Sequence, residues 1–349
     1  MKRPWLLPLT PLYAGAVALR NLRLACGWEQ PQRLGWPVMS VGNLSTGGLG
    51  KTPLVIALAR LLAQRGVRVD VLSRGYGRRS NLPQRVQSDG SVAEFGDEPL
   101  LIARSLGLPV FVAAERYDAG LLAEAARDTA TQPGVQHGGT LAAHLLDDGF
   151  QHRQLARDID ILVLNRADWH GSLLPAGNLR ESRQAARRAA VLIIPAAEPE
   201  LEAELRSWGF TGPIWRHRRR MQVPDVSGPV SAFCGIARPD QFFAGLQESG
   251  LNVATRTAFR DHHRFTAQDM QSLIASARSA GAVALVTTEK DLVRIGDIRS
   301  LVPQSVLDSM PLLPVRLTVE IEHASAAMDW LIARLRAVKT APVKAGAAL

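Results

Sequence analysis

Apolar positions along this chain keep two rhythms. Short runs at 38–41, 67–72, 110–112, 141–146, 159–164 and 190–194 have the length of strands, and the continuous ones suit strands buried on both faces of a parallel sheet. Between them, apolar residues recur at helical spacing over 54–62, from Leu100 and over 118–128, with a loop rich in Gly, Thr and Gln at 129–139. Strand and helix thus alternate through the first two-thirds of the chain, which predicts a doubly wound α/β domain with a mostly parallel sheet. The stretch Arg216-His217-Arg218-Arg219-Arg220, then Pro224 to Pro229, reads as a boundary. Beyond it, strands are expected at 230–234, 252–257, 282–287 and 315–321, with helices from Gln241, Thr266 and Ala324. Thr266 and Asp269 have the spacing of a capping box, and Gly281 supplies a C-terminal stop.

The expected organisation is an N-terminal segment over 1–34, a core domain over 35–225, a second, smaller α/β domain over 226–339, and a tail over 340–349 whose Ala, Gly, Pro and Lys content predicts disorder. The N-terminal segment imitates a secretory signal, with Lys2-Arg3 ahead of an apolar run. Pro4, Pro8 and Pro11 break that run, and Arg20 and Arg23 follow it. No uninterrupted apolar stretch reaches the ~20 residues of a membrane span. Residues 12–28 mix Tyr, Leu, Val, Ala and Trp with two arginines, the composition of an interfacial amphipathic helix or of a helix packed on its own core.

Composition changes this picture in two ways. Lys and Arg number 41 against 32 Asp and Glu, a net charge of +9 that favours acidic partners: nucleic acid, anionic lipid or a phosphorylated substrate. The 2 cysteines, Cys26 and Cys234, lie far apart with no metal-ligand spacing, which fits a reducing compartment and excludes a disulfide framework.

The chemistry concentrates after the first strand, in Gly42-Asn43-Leu44-Ser45-Thr46-Gly47-Gly48-Leu49-Gly50-Lys51-Thr52-Pro53. Strand, glycine-rich turn and Gly-Lys-Thr opening a helix are the order of a phosphate-binding P-loop. Glycines let successive N–H groups approach a polyphosphate, and the helix N-terminus adds partial positive charge. Residues Ser45 to Thr52 form the candidate nucleotide site, with Lys51 on the outer phosphates and Thr52 on magnesium. Ser45 stands where the general pattern has glycine. The fold class is therefore P-loop NTPase-like α/β.

Asp147-Asp148 at the end of a strand is placed to meet that loop and a magnesium ion. Adjacent strand residues point to opposite faces, so the two cannot share one role unless the strand has already turned. Asp97, in Gly96-Asp97-Glu98-Pro99, reads alone as a helix cap. Asp261-His262-His263 offers an imidazole beside a carboxylate, a pairing that suits proton transfer but also occurs on any polar surface. Thr288-Glu289-Lys290-Asp291 either contacts nucleotide or links domains, and Leu174 to Glu181 is either an ordinary connection or brings Glu181 to the metal and Arg180 to the phosphates.

Together these motifs resemble the tetraacyldisaccharide 4'-kinases of lipid A biosynthesis. The resemblance rests on the loop from Gly42 to Pro53, Ser73-Arg74-Gly75-Tyr76-Gly77, Gly96 to Pro99, Asp147-Asp148-Gly149-Phe150-Gln151-His152, Leu174-Pro175-Ala176-Gly177 with Leu179-Arg180-Glu181, Asp261-His262, and Thr288 to Asp291, in the family's order. It implies transfer of the ATP γ-phosphoryl group, with Mg2+, to the 4'-hydroxyl of an acylated glucosamine disaccharide phosphate. It also implies a peripheral enzyme docked by its N-terminal helix on the anionic cytoplasmic face of the bacterial inner membrane, with no nucleic acid and no obligate protein partner. By that resemblance Asp97, His262, Lys51 and Asp148 are catalytic, and Thr52, Asp147, Asp148 and Glu181 arrange the metal; since Asp97 and His262 fall on separate expected domains, closure around ATP is expected to assemble the site. The rival reading is a membrane-associated P-loop switch ATPase.

Overall fold

The computed structural model describes residues 3–47, 50–129, 141–296 and 301–338 of the 349. Gly48 and Leu49 of the glycine-rich turn, most of the loop expected over 129–139, and the tail from Thr340 lie outside the described residues. The described residues form a twelve-stranded sheet from β1 (Val38–Asn43), β2 (Arg68–Ser73), β3 (Gln84–Arg85), β4 (Val110–Val112), β5 (Ala142–Asp147), β6 (Ile159–Val163), β7 (Val191–Pro195), β8 (Ile214–Gln222), β9 (Val230–Cys234), β10 (Val253–Ala258), β11 (Ala284–Thr288) and β12 (Leu312–Ile321). Their order is β10-β9-β11-β12-β8-β7-β6-β1-β5-β2-β4-β3. Neighbours run parallel except β3 with β4 and β8 with β12.

Helices cover the sheet as the alternating pattern predicts. Lys51–Gln64 buries Leu54, Val55, Leu58, Ala59 and Leu62, a stripe at helical spacing, in one core with β1, β5 and β6. All six residues of β1 are buried, because it lies between β5 and β6 and under helices. Parallel pairing brings the C-terminal ends of β1 and β5 side by side, with Val41 opposite Asp147, so the glycine-rich turn and the Asp147-Asp148 pair share one edge. Thr266 caps Ala267–Ser279 with both bonds of a capping box, as its spacing with Asp269 predicts.

The arginine run is not a linker. Residues 216–220 lie within β8, where Arg218 and Arg220 pair with Glu322 and Glu320 at the far end of the chain. The expected division at residue 225 falls in the connection from β8 to β9. β12 then returns from the C-terminal region, pairing through 312–315 with β11 and through 316–321 with β8. At the N-terminus, the turn Pro4–Leu9 and helix Thr10–Ala25 bury none of the side chains described, and Trp5, Leu12 and Trp28 are 75%, 72% and 76% exposed. Of the two readings that periodicity left open, packing on the protein's own core is not the one found. No described helix is long and apolar enough to cross a membrane.

Candidate active site

The turn after β1 opens Lys51–Gln64 through Gly50, whose φ of +74° is left-handed backbone that glycine adopts without strain. Thr52 is buried in the first turn. Ser45, the departure from the general pattern, is buried too. Its hydroxyl donates to Asp168 Oδ2 at 2.7 Å and accepts from Asn43 Nδ2 at 3.1 Å. Thr46 donates its N–H to the Asn178 carbonyl at 2.7 Å. These two residues, Ser45 through its hydroxyl and Thr46 through its backbone N–H, therefore tie the turn to the segment 165–178. Lys51 Nζ donates to Asn43 Oδ1 at 2.8 Å and stands 3.3 Å from Asp148 Oδ1.

Asp147 ends β5, and Asp148 follows with a left-handed φ of 51°. The strand has thus already turned between them, which frees the pair from the alternation of a regular strand. Asp148 accepts from Arg180 at 2.9 Å; burial raises its pKa, but Lys51 and Arg180 outweigh that and hold the carboxyl below its usual range. Asp147 forms no ion pair among the described residues, and Lys51 and Lys290 offset its surroundings only in part. Burial first, then the charges of Glu98 and Asp148, push its pKa up to about 7, and its Oδ1 is buried with no hydrogen-bond partner among the described residues. The chemistry of that atom fits a cation.

Glu181 is placed otherwise than the resemblance implies. It is 1% exposed, and both its oxygens accept from Arg188 at 3.0 Å. Among the described residues no group of three or more His, Cys, Asp or Glu side chains is arranged to hold a metal ion.

The loops around the aspartates are basic. Arg116, nearly buried at the start of Arg116–Thr129, and Arg74, just past β2, lie within electrostatic reach of each other, and Arg116 also feels Asp147 and Asp148. His152 is lowered to about 4 by burial, then by Arg116, Arg157 and Arg74. Such a wall suits a polyanionic ligand. Arg116 carries no sequence signal, since a lone arginine opening a helix belongs to no motif.

Asp97 is the first helical residue of Asp97–Leu106, with Gly96 in the cap position. Gly96 (φ +87°) and Gly75 (φ +66°) let two loops cross: a Cβ on Gly96 would meet the Gly75 backbone at 3.0 Å. Asp97 Oδ1 accepts the Glu98 N–H at 2.9 Å, while Oδ2 lies 3.0 Å from His262 Nδ1 and accepts from Arg294 Nε and Nη2 at 2.9 and 2.7 Å. Burial raises the Asp97 pKa, yet Arg294, Lys290 and His262 together hold it below the usual carboxylate range. His262 is 45% exposed and, with φ at 60°, in left-handed backbone, which β-carbon-bearing residues adopt chiefly where the surroundings enforce it.

Residues 165 positions apart are thus in contact across the two expected domains. Beside them Lys290 donates to Glu98 at 2.6 Å, a contact between the two regions made from the Thr288-to-Asp291 segment. The same lysine and Glu98 influence Asp147, so the two acidic clusters are neighbours.

A family model described as tetraacyldisaccharide-1-P 4'-kinase, LpxK, matches residues 2–336. The chain belongs to this family. Named members of the family agree along most of their length: the tetraacyldisaccharide 4'-kinase of Koribacter versatilis is 40% identical over 336 residues, covering 93% of this chain and 97% of the relative. That of Geobacter metallireducens is 38% identical over 334 residues, 86% of this chain and 93% of the relative. The crystal structure of LpxK from Aquifex aeolicus in complex with ATP superposes with a TM-score of 0.72 at 31% identity, covering 95% of this chain and 99% of that one. The match extends to the 4'-kinase fold as a whole, a mostly parallel P-loop sheet with its C-terminal strands.

Proposed function

We propose that this chain transfers the γ-phosphoryl group of ATP to the 4'-hydroxyl of a tetraacylated glucosamine disaccharide 1-phosphate and releases ADP. The observation that carries the reading is the meeting of Asp97 and His262 at 3.0 Å beside a P-loop lysine held by Asp148, two clusters that a mere nucleotide switch does not need. The glycine-rich turn, Ser45 through Thr52, receives the polyphosphate. Lys51 leaves Asp148 for the outer phosphates, where its charge stabilises the transferring group.

His262, oriented through Nδ1 by ionised Asp97, presents Nε2 to the sugar hydroxyl. The oxygen attacks phosphorus, its proton passes to Nε2, and the bond to the ADP oxygen breaks. Positioning and electrostatics supply most of the acceleration in this reaction class. Mg2+ fits Thr52 and the unpartnered Asp147, with Asp148 alongside, and when bound it withdraws charge from the phosphates. Glu181 reaches the ion only if Arg188 releases it.

The exposed apolar side chains of residues 5–28, with Arg20 and Arg23 among them, support docking on the anionic cytoplasmic face of the inner membrane. The segment is tethered to the active-site loop, since Arg3 N donates to the Ala176 carbonyl at 2.7 Å and Tyr13 Oη to that of Arg180 at 3.0 Å. A docked helix therefore sets the site at the depth of a lipid head group. Trp5→Glu with Leu12→Glu should abolish sedimentation with anionic vesicles and leave ATP binding intact; unchanged sedimentation would remove the docking role.

ADP release by the purified protein should rise on adding the disaccharide lipid. Release that ignores the lipid and instead follows protein concentration favours the switch ATPase.

A further inference from the structure

We propose that Arg294 is a positioning residue for phosphoryl transfer, fixing Asp97 as the ionised anchor that orients His262. The inference rests on the assignment of Asp97 and His262 to the sugar hydroxyl, and concerns what prepares them.

The lone pairs of Asp97 are already taken. Oδ2 accepts Nε and Nη2 of Arg294 at 2.9 and 2.7 Å, Oδ2 also faces His262 Nδ1 at 3.0 Å, and Oδ1 accepts the Glu98 N–H at 2.9 Å. A carboxylate offers about four acceptor sites, so this one has little left for a substrate proton. The ionised carboxylate 3.0 Å from Nδ1 favours the Nδ1–H tautomer of His262 over acceptance of a hydrogen bond from Arg294 Nη2 at 3.2 Å, and that tautomer leaves the lone pair on Nε2. Arg294 keeps the carboxylate ionised.

The guanidinium is itself mounted. Its side chain is 4% exposed, and Nη1 donates to Asp291 Oδ1 at 3.0 Å and to the Gly235 carbonyl. That same carbonyl accepts the His262 N–H at 3.2 Å, holding the left-handed residue in place. Asp291, fully buried, is fixed in turn by the Gly235 N–H at 3.1 Å and the Thr288 hydroxyl at 2.7 Å. One fork thus joins the carboxylate of one region to the imidazole of the other. A purely structural clamp between the regions is already supplied by Lys290 and Glu98. The charged and titratable groups facing Asp97 are Glu98 on its own helix, Lys290, Asp291 and Arg294 beyond β11, and Asp261 and His262 beyond β10.

The test is a double-mutant cycle on the full chain: Arg294→Gln and Arg294→Lys, each alone and with Asp97→Asn, measuring kcat, KM for ATP and the acid limb of the pH profile. Arg294→Gln should lower kcat about tenfold or more with KM for ATP within about twofold. Arg294→Lys, which keeps charge but loses the fork, should fall between. In the Asp97→Asn background either change should cost less than about twofold. Removing the buried positive charge beside it raises the proton affinity of Asp97, so the acid limb of Arg294→Gln should move to higher pH.

Equal losses in both backgrounds with an unmoved acid limb would overturn the inference and leave Arg294 a structural clamp. Near-normal kcat in Asp97→Asn alone would overturn the assignment of Asp97 itself, a separate outcome. Melting curves and ATP binding verify folding, and if Arg294→Gln fails to fold, the lysine variant completes the cycle.

Discussion

Asp147 and Asp97 are both buried carboxylates at the rim of one site, and their surroundings are opposite. Asp147 is raised to about 7, by burial and then by Glu98 and Asp148, with one oxygen lacking a partner among the described residues. Asp97 is lowered against the pull of burial, chiefly by Arg294, with Lys290 and His262 adding to it. Asp97 has close countercharge in the fold, while for Asp147 Lys51 and Lys290 only partly offset burial and like charge. On the proposed function, the difference separates a part of the machinery set at folding from a part completed by nucleotide and a cation.

Replacing each by asparagine should break the symmetry between them. The largest effect is on catalysis: Asp97→Asn should lower kcat by about two to four orders of magnitude, since the imidazole loses both its orientation and its countercharge. Next is stability. Asp97→Asn removes one of the two close carboxylates of buried Arg294 and leaves Asp291 as the other, at a cost of about 1–3 kcal/mol by denaturant unfolding. Asp147→Asn should act in the opposite sense, raising the melting temperature of the nucleotide-free protein at pH 8.

A smaller effect is expected in the magnesium titration of activity, where Asp147→Asn should need about tenfold more metal for half-maximal rate. An unshifted titration would remove Asp147 from the metal site. The smallest effect is in the pH dependence. A carboxyl whose folded pKa is raised loses stability as pH climbs from the unfolded value, 3.8, to about 7. Wild-type melting should therefore carry a downward component across that window which Asp147→Asn lacks. Asp97, lowered in the fold, contributes in the reverse direction: its stabilisation is present above 3.8 and is lost as pH falls through its folded value.

What could be read from the sequence divides along the same line. The Lys51 turn and the Asp147-Asp148 pair each sit in one short stretch, and parallel pairing of β1 with β5 brings the two stretches together by a rule that sequence order alone implies. The contacts of Asp97 join residues 165 and 197 positions apart, and no spacing encodes them. Arg294 in particular looks like any arginine in the last turn of a short helix. The arginine run of β8 read as a boundary because its partners, Glu320 and Glu322, lie a hundred positions on, where cross-strand pairing turns a charge run into an ordinary strand. Glu181 carried a metal role by resemblance, but its bidentate partner Arg188, seven residues away, is visible only in three dimensions. For the N-terminal helix, periodicity could not choose between lipid and core, because its burial depends on which surface the rest of the chain leaves uncovered.

The most direct test of the account is label transfer from γ-labelled ATP, with magnesium, to the tetraacylated disaccharide 1-phosphate, comparing the wild-type chain with Asp97→Asn and Asp147→Asn at rising metal. The account predicts labelled lipid from the wild type, a deep loss in Asp97→Asn that no magnesium concentration restores, and a loss in Asp147→Asn that added magnesium partly restores. No labelled lipid from an ATP-binding wild-type preparation, or recovery of Asp97→Asn by magnesium, would contradict it.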